Sequence, residues 1–353
     1  AIPRLATTSF EIGLAPFVSE GKSVPALAIF SCVFFFAAWL LARKPTKLLD
    51  YVGKIINPLF LILLGILLIM TFVHPMGPTL GAKVQPDYNG NAFFKGFLEG
   101  YNTLDALASL AFGIIIVSTI RGRGVEKPGE IALDTIKSGI ISIIAMGVIY
   151  SLLAYMGTMS LGILSVSENG GIALAQIANN YFGTYGNIIL AFIVILACLK
   201  TTIGLISAFS ETFTQLFPSQ NYIVFATGVS LLSCLLANVG LTKIINFSIP
   251  VLMFIYPLAM TLILLSIIGM LFKNDSRVYK VTSYFTLFAS IIDGLNASPD
   301  VIRQTGFAQA LIHFGEKYLP FFKIGMGWVL PALIGFSIGL IWHRIKIDRR
   351  LAH

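Results

Sequence analysis

Residue types able to do chemistry cluster twice in this chain, each time in apolar surroundings. The first cluster starts at Lys200, in FIVILACLKTTIGLISAFSETF, and runs through Thr201, Thr202, Gly204, Ser207, Ser210 and Glu211. Ionisable residues inside a membrane span are costly and mark ion or substrate paths. Hydroxyls and backbone carbonyls suit a hard cation such as sodium. A buried ammonium beside them could fill the cation position itself, or titrate, because lysine shifts its pKa readily when buried. A structural role is open too, with the hydroxyls bonded to carbonyls of their own helix and Lys200 paired with a carboxylate.

The second cluster lies in residues 93–123, FFKGFLEGYNTLDALASLAFGIIIVSTIRGR, a segment long enough to cross a bilayer. Lys95, Glu99, Asn102, Thr103 and Asp105 fill its first half, with Gly96 and Gly100 between them. Residues 106–120 carry no charge. Backbone left unpaired in hydrocarbon is expensive, so irregular backbone persists there only when it lines a cavity or is buried in protein. Two readings fit: an external loop before an ordinary helix, or the polar break of a discontinuous helix that holds substrate.

Other reactive groups are scattered. Asp293, in SIIDGLNAS, falls late in an apolar run, where an end-of-helix carboxylate snorkelling to water competes with a buried one. Arg4 and Glu11 are seven residues apart on one helix face and suit a structural pair. His74, His313, His343 and His353 sit at loops or ends and make no catalytic pair. Cys32, Cys198 and Cys234 lie in apolar runs without CxxC spacing and read as small hydrophobes. No GxSxG, HExxH, phosphate loop or nucleotide motif is present, so neither an enzyme nor ATP-driven transport is expected, and no cofactor.

The elements that must position these groups follow from composition. Of 353 residues 56% are hydrophobic and 11% charged, against about 25% charged in a soluble domain. Mean hydropathy is +0.87. This is an all-α polytopic membrane protein with the lipid bilayer as its solvent. Apolar runs of about 20 residues place spans at 24–42, 55–73, 93–119, 136–157, 186–215, 222–240, 245–272, 281–297 and 323–343, after a partial helix over 1–17. All belong to a single transmembrane domain, 1–353.

The net charge of +8 would suggest nucleic acid in a soluble protein; its distribution says otherwise. One alternate set of loops holds Arg43, Lys44, Lys47, Lys54, Arg121, Arg123, Lys127, Lys137, Lys273, Arg277, Lys280, Arg344, Lys346, Arg349 and Arg350. The opposite set holds Lys22, Lys83, Lys95, Lys243, Arg303, Lys317 and Lys323. Cytoplasmic loops are Lys/Arg-rich, so the C-terminus is cytoplasmic and no nucleic-acid partner is implied. That orientation puts the polar break in the outer half of its span. Three long segments are then external, and the middle one carries Ile172, Ala175, Gln176 and Asn179 at helical spacing, either a lid over the outer mouth or an ordinary surface helix. The opening AIPRLATTSFEIG has neither methionine nor a signal-peptide n-region, and upstream sequence is expected to be missing.

The motifs GFLEGYNTLDALASLAFGIIIV, ACLKTTIGLISAFSETF and ANVGLTKIINFSIPVLMFIYP, with the opening AIPRLATTSFEIGLAPF, resemble the branched-chain amino acid:cation symporters of bacteria (the transport system II carriers) over essentially the whole chain. The resemblance implies the LeuT-like inverted-repeat transporter fold of the amino acid–polyamine–organocation superfamily, lacking the first two helices and part of the third. It implies that 93–119 is the broken sixth helix. Gly100, Tyr101, Asn102, Thr103 and Asp105, then Ala106, Ser109, Leu110 and Phe112, would meet the amino acid, whose charged ends bond backbone groups while Leu110 and Phe112 pack on the branched side chain. Thr201 and Thr202, on the eighth helix, would be sodium ligands. Lys200 falls where a hydroxyl ligand is expected in sodium-dependent relatives, so it could act as a cation surrogate and leave protons as the coupling ion.

The function implied is import of leucine, isoleucine and valine across the bacterial cytoplasmic membrane, coupled to sodium or protons, with no obligatory protein partner. Transport of another amino acid of the superfamily is the alternative. A channel would need charged rings or a carbonyl filter, which scattered charges do not make.

Overall fold

Where helices begin and end is set by caps and prolines more than by hydropathy. The computed structural model describes residues 1–19, 21–43, 48–78 and 84–351, among which there is no strand. In chain order the helices are α1 (Ile2–Gly13), α2 (Ser23–Ala42), α3 (Leu48–Val73), α4 (Ala92–Glu99) and α5 (Asp105–Gly122). Then come α6 (Pro128–Ser160), α7 (Gly170–Leu216), α8 (Tyr222–Ala237) and α9 (Leu241–Ile267). The last four are α10 (Ser276–Asn296), α11 (Asp300–Arg303), α12 (Gly306–Tyr318) and α13 (Val329–Leu351).

Several ends differ from the hydropathy-based spans for local chemical reasons. Helix α6 starts at Pro128, whose missing N–H costs nothing in a first turn, well before the apolar run at 136. Helix α7 starts where the Asn169 side chain accepts from the N–H groups of Gly171 and Ile172. It absorbs the segment read as a lid, which joins the span through a kink at Gly183, φ 59°. The span 245–272 divides into α9 and a 3-10 turn, Gly269–Phe272. The span 323–343 opens as a 3-10 turn, Phe322–Ile324, with Phe321 and Gly325 in the left-handed region, before α13 begins. Lys44, Lys47 and Lys83, used in the charge asymmetry, lie outside the described residues.

Among the described residues, Ser23–Ala42, Pro128–Ser160, Gly170–Leu216 and Leu241–Ile267 are long and apolar enough to cross a membrane. Shorter apolar helices are Pro58–Val73, Tyr222–Ala237 and Val329–Ile345. The spans read at 93–119 and 281–297 are helical but outside this set. The first is interrupted, and the second is diluted by the hydroxyls and tyrosines of SRVYKVTSYFTLFASIIDGLN.

Two compact units result. One comprises residues 1–83 and 111–244. Here α1 runs along α7, approaching closely at Gly13, where a Cβ would stand 2.8 Å from Ile195 Cδ1. Small residues bring α2 against α7 and α8: Ala38, Ala42 and Ala226 pack on Ile203 and Ile206. The backbone passes itself at Gly77 and Gly162, where a Cβ on Gly162 would lie 2.6 Å from the Gly77 Cα.

The other unit comprises residues 84–110 and 245–353. Gly335 and Gly339 of α13 let that helix lie against Thr282 and Val278 of α10. Helix α12 closes over the end of α10 through Ile292, Ala308, Ile312 and Phe322. Pro250 and Pro257 stand inside α9, so the carbonyls of Asn246 and Met253 lose their helical donors.

Candidate functional site

The break in residues 93–123 is a defined turn. Helix α4 ends at Glu99, Gly100–Thr103 forms one turn of 3-10 helix, and Leu104 takes φ 65° before α5 begins at Asp105. A leucine in the left-handed region costs about 1–3 kcal/mol, a strain that clusters at functional sites. The flanking glycines do not make the break: Gly96 and Gly100 have no atom within 4 Å of where a Cβ would stand. Several of the polar groups at the turn bond within it. Glu99 pairs with Lys95 at 3.0 Å and accepts from Asn102 Nδ2 at 2.9 Å. Thr103 Oγ1 donates to the Gly100 carbonyl and Ser109 Oγ to that of Ala106, both at 2.8 Å. Leu110 is exposed.

Tyr101 is the residue of this turn that points inward. Its ring stacks on Tyr256 of α9, centroids 4.2 Å apart and planes 12° from parallel, within a cluster that includes Leu98, Leu104, Ala106 and Leu252. The Trp328 indole N–H and the Asp293 carboxyl both act on the Tyr101 hydroxyl, though none of the three closes a hydrogen bond of normal geometry. Asp293 is 2% exposed. The end-of-helix, water-facing role is therefore excluded: α12 and the Phe322 turn cover that end of α10.

In the first unit the Lys200 cluster divides. Thr201 is exposed and donates to the Ala197 carbonyl at 3.0 Å. Thr202, one residue and about 100° further round the helix, is 0% exposed and its hydroxyl has no partner. Self-bonding thus holds for one threonine and fails for the other. Lys200 is half-buried, and among the described residues no carboxylate pairs with it. Phe112 lies on this side, its ring 3.2 Å from where a Cβ on Gly204 would stand. The structure therefore groups Phe112 with Lys200–Thr202 in one unit, and Gly100 to Leu110 in the other.

A cavity of about 440 Å³ in the first unit is lined by Glu11 and Phe17 on one side and by Ile172, Ala175, Gln176 and Asn179 on the other. The helical pattern noticed in the sequence is this wall. Asn187 Nδ2 donates to Asn179 Oδ1 at 3.2 Å, spanning the Gly183 kink.

Sequence reading missed Tyr256 and Trp328, whose only signal was a hydrogen-bonding aromatic inside an apolar run. It also missed that Cys32 and Cys234, 202 positions apart, bring their sulfurs to 3.9 Å.

A helical chain with several apolar helices, one interrupted by a strained turn beside buried polar groups, has the make-up of a polytopic membrane transport protein. Comparison with known proteins gives the family. Residues 1–346 match the family described as branched-chain amino acid transport protein, and the chain belongs to it. It is 40% identical over 341 residues to the branched-chain amino acid permease BrnQ of Bacillus subtilis (strain 168), covering 97% of this chain and 76% of that protein. It is 39% identical over 342 residues to the permease BraB of the same organism, covering 97% and 75%. It is 36% identical over 351 residues to the branched-chain amino acid transport system 2 carrier protein of Pseudomonas aeruginosa, covering 98% and 76%. No solved structure matches the chain.

Proposed function

We propose that this chain is a secondary symporter carrying leucine, isoleucine and valine across the cytoplasmic membrane, driven by a sodium or proton gradient. The observation that carries the reading is the strained turn at Leu104 in a chain whose relatives are named as branched-chain amino acid permeases. Around it, Gly100, Tyr101, Asn102, Thr103, Asp105, Ala106, Ser109 and Leu110 receive the amino acid. Its ammonium and carboxylate bond backbone groups freed at the turn, in keeping with a LeuT-like arrangement. On α7, Thr202 offers an unclaimed hydroxyl to a coupling cation, with Thr201 beside it and Lys200 able to stand in for the cation. The chain binds and moves its substrate without bond chemistry, and its C-terminus is cytoplasmic. A second reading keeps the mechanism and changes the amino acid.

One methylene in an apolar pocket is worth about 1–3 kcal/mol, so leucine, isoleucine and valine share one site. In proteoliposomes, labelled leucine should enter faster under an imposed sodium or proton gradient, and isoleucine and valine should compete at concentrations within about tenfold to a hundredfold of leucine's. Absence of leucine counterflow, with counterflow of an unrelated amino acid present, sinks the reading.

A further inference from the structure

We propose that Asp293 is a proton-binding site, and that its proton occupancy is communicated to the broken helix through Tyr101. Asp293 is 2% exposed, its Oδ2 is buried, and it makes no hydrogen bond. Among the described residues no basic side chain pairs with it. A buried charge without a partner is expensive, and a carboxyl kept in such a place is a functional candidate by default.

The surroundings decide which ligand fits. Trp328 Nε1 and the Tyr101 hydroxyl, 5% exposed residues both, are buried and without hydrogen bonds of normal geometry, and the indole N–H and the carboxyl both act on the Tyr101 hydroxyl. An indole N–H only donates. It cannot ligate a metal cation, but it can support a carboxylate. Deprotonated, Asp293 is faced by the Tyr101 hydroxyl, on which the Trp328 N–H acts in turn; protonated, it is a neutral acid against Phe322 and Gly327, whose Cβ, if present, would stand 3.3 Å from Oδ1. The step is balanced by one proton: an O–H bond forms on the carboxylate when a proton arrives from one side of the membrane, and breaks when it leaves to the other.

The titratable group facing the carboxyl is the Tyr101 phenol, which in turn faces Tyr256. Among the described residues, no charged side chain of α9, α11, α12 or α13 acts on it. Tyr101 lies three residues before the left-handed Leu104, so a change in its hydrogen bonding acts on the strained turn directly.

This rests on the symport reading, and the test separates the two. Net uptake of labelled leucine into leucine-free proteoliposomes containing the chain is compared with and without an inward proton gradient, and leucine-loaded vesicles report exchange separately. The wild type is expected to show a ratio well above one, and Asp293→Asn a ratio of one. A wild type indifferent to the gradient, or an Asp293→Asn variant keeping the wild-type ratio, overturns the proposal while leaving leucine transport intact. Should Asp293→Asn not transport at all, Trp328→Phe decides. Loss of the donor is expected to move the pH profile of leucine exchange to higher pH, and an unmoved profile overturns the proposal. A wild type that exchanges no leucine, isoleucine or valine at any pH overturns the transport reading and this proposal with it.

Discussion

Helices α7 and α10 belong to different units, yet each carries a ladder of hydroxyls folded back onto its own backbone and buried polar groups that stand outside the ladder. On α7, Thr201, Ser210, Thr212 and Thr214 donate to carbonyls four residues earlier at 2.7–3.0 Å, while Thr202 and Ser207, both buried, do not. On α10, Thr282, Thr286 and Ser290 do the same at 2.7–2.9 Å, and the exception three residues on is Asp293. The exceptions differ in kind. Thr202 is a neutral oxygen able to accept a cation, beside a half-buried lysine. Asp293 is a buried acid facing the Tyr101 phenol. Polar residues in a span therefore do not locate a site by their number; the buried members that leave the ladder narrow it, and on α7 Thr202 is the one next to Lys200.

The comparison breaks most easily by volume. Gly327 sits where a Cβ would lie 2.9 Å from Phe322 and 3.3 Å from Asp293 Oδ1. Gly327→Val should cost about 1–3 kcal/mol, the usual range for overpacking, read as a lowered melting temperature in detergent, with leucine uptake falling with it. Gly157, with no atom within 4 Å of a would-be Cβ, is the control: Gly157→Ala should leave the melting temperature within a degree or two. Equal losses would mean that Asp293 is not tightly enclosed.

A finer test uses the two threonines. Thr202→Val keeps the shape and removes the unclaimed hydroxyl. The cation concentration for half-maximal uptake should rise at least tenfold, about 1.4 kcal/mol. Thr201→Val removes a hydroxyl already bonded to Ala197 and should raise it about twofold at most. The reverse order would show that the ladder, not its exception, holds the ion.

Much of this was legible in the residues and some could not be. The interruption at 100–104 shows in the sequence because charges and amides break an apolar run, and the wall of the cavity shows as Ile172, Ala175, Gln176 and Asn179. Thr201 and Thr202 are indistinguishable by type; burial separates them, and burial depends on helix rotation set by neighbours far along the chain. Asp293 looks like a helix end because Ser298 and Pro299 follow closely. Only the return of α12 and Phe322 over that end buries it. The stack of Tyr101 on Tyr256 joins residues 155 positions apart, which no local periodicity encodes. Helix starts were misplaced for another reason: Pro128 and Asn169 begin helices by capping chemistry several residues before or beyond any change in hydropathy.

The smallest effect concerns the start of α10, away from its exception. Asp275 caps the helix, accepting from the Arg277 N–H at 3.0 Å, and its other oxygen meets His343 Nδ1 of α13 at 2.8 Å. The Arg277 N–H, and after it His343, hold this carboxyl below the usual carboxylate range. A carboxyl depressed by folding contributes stability that is present above its unfolded pKa, about 3.9, and is lost as pH falls through the folded value. Asp275→Ala should cost about 1 kcal/mol through the lost cap. Asp275→Asn keeps a good capping side chain, so its cost at neutral pH should be smaller, and thermal melts below about pH 4 should lack the wild type's Asp275-dependent decline. The ladder of α10 and the burial of Asp293 should survive both changes, because neither depends on the cap. If Asp275→Asn also abolished the response of leucine uptake to a proton gradient, the cap and the buried acid would have to be one coupled system, and the contrast between ladder and exception would fail on α10.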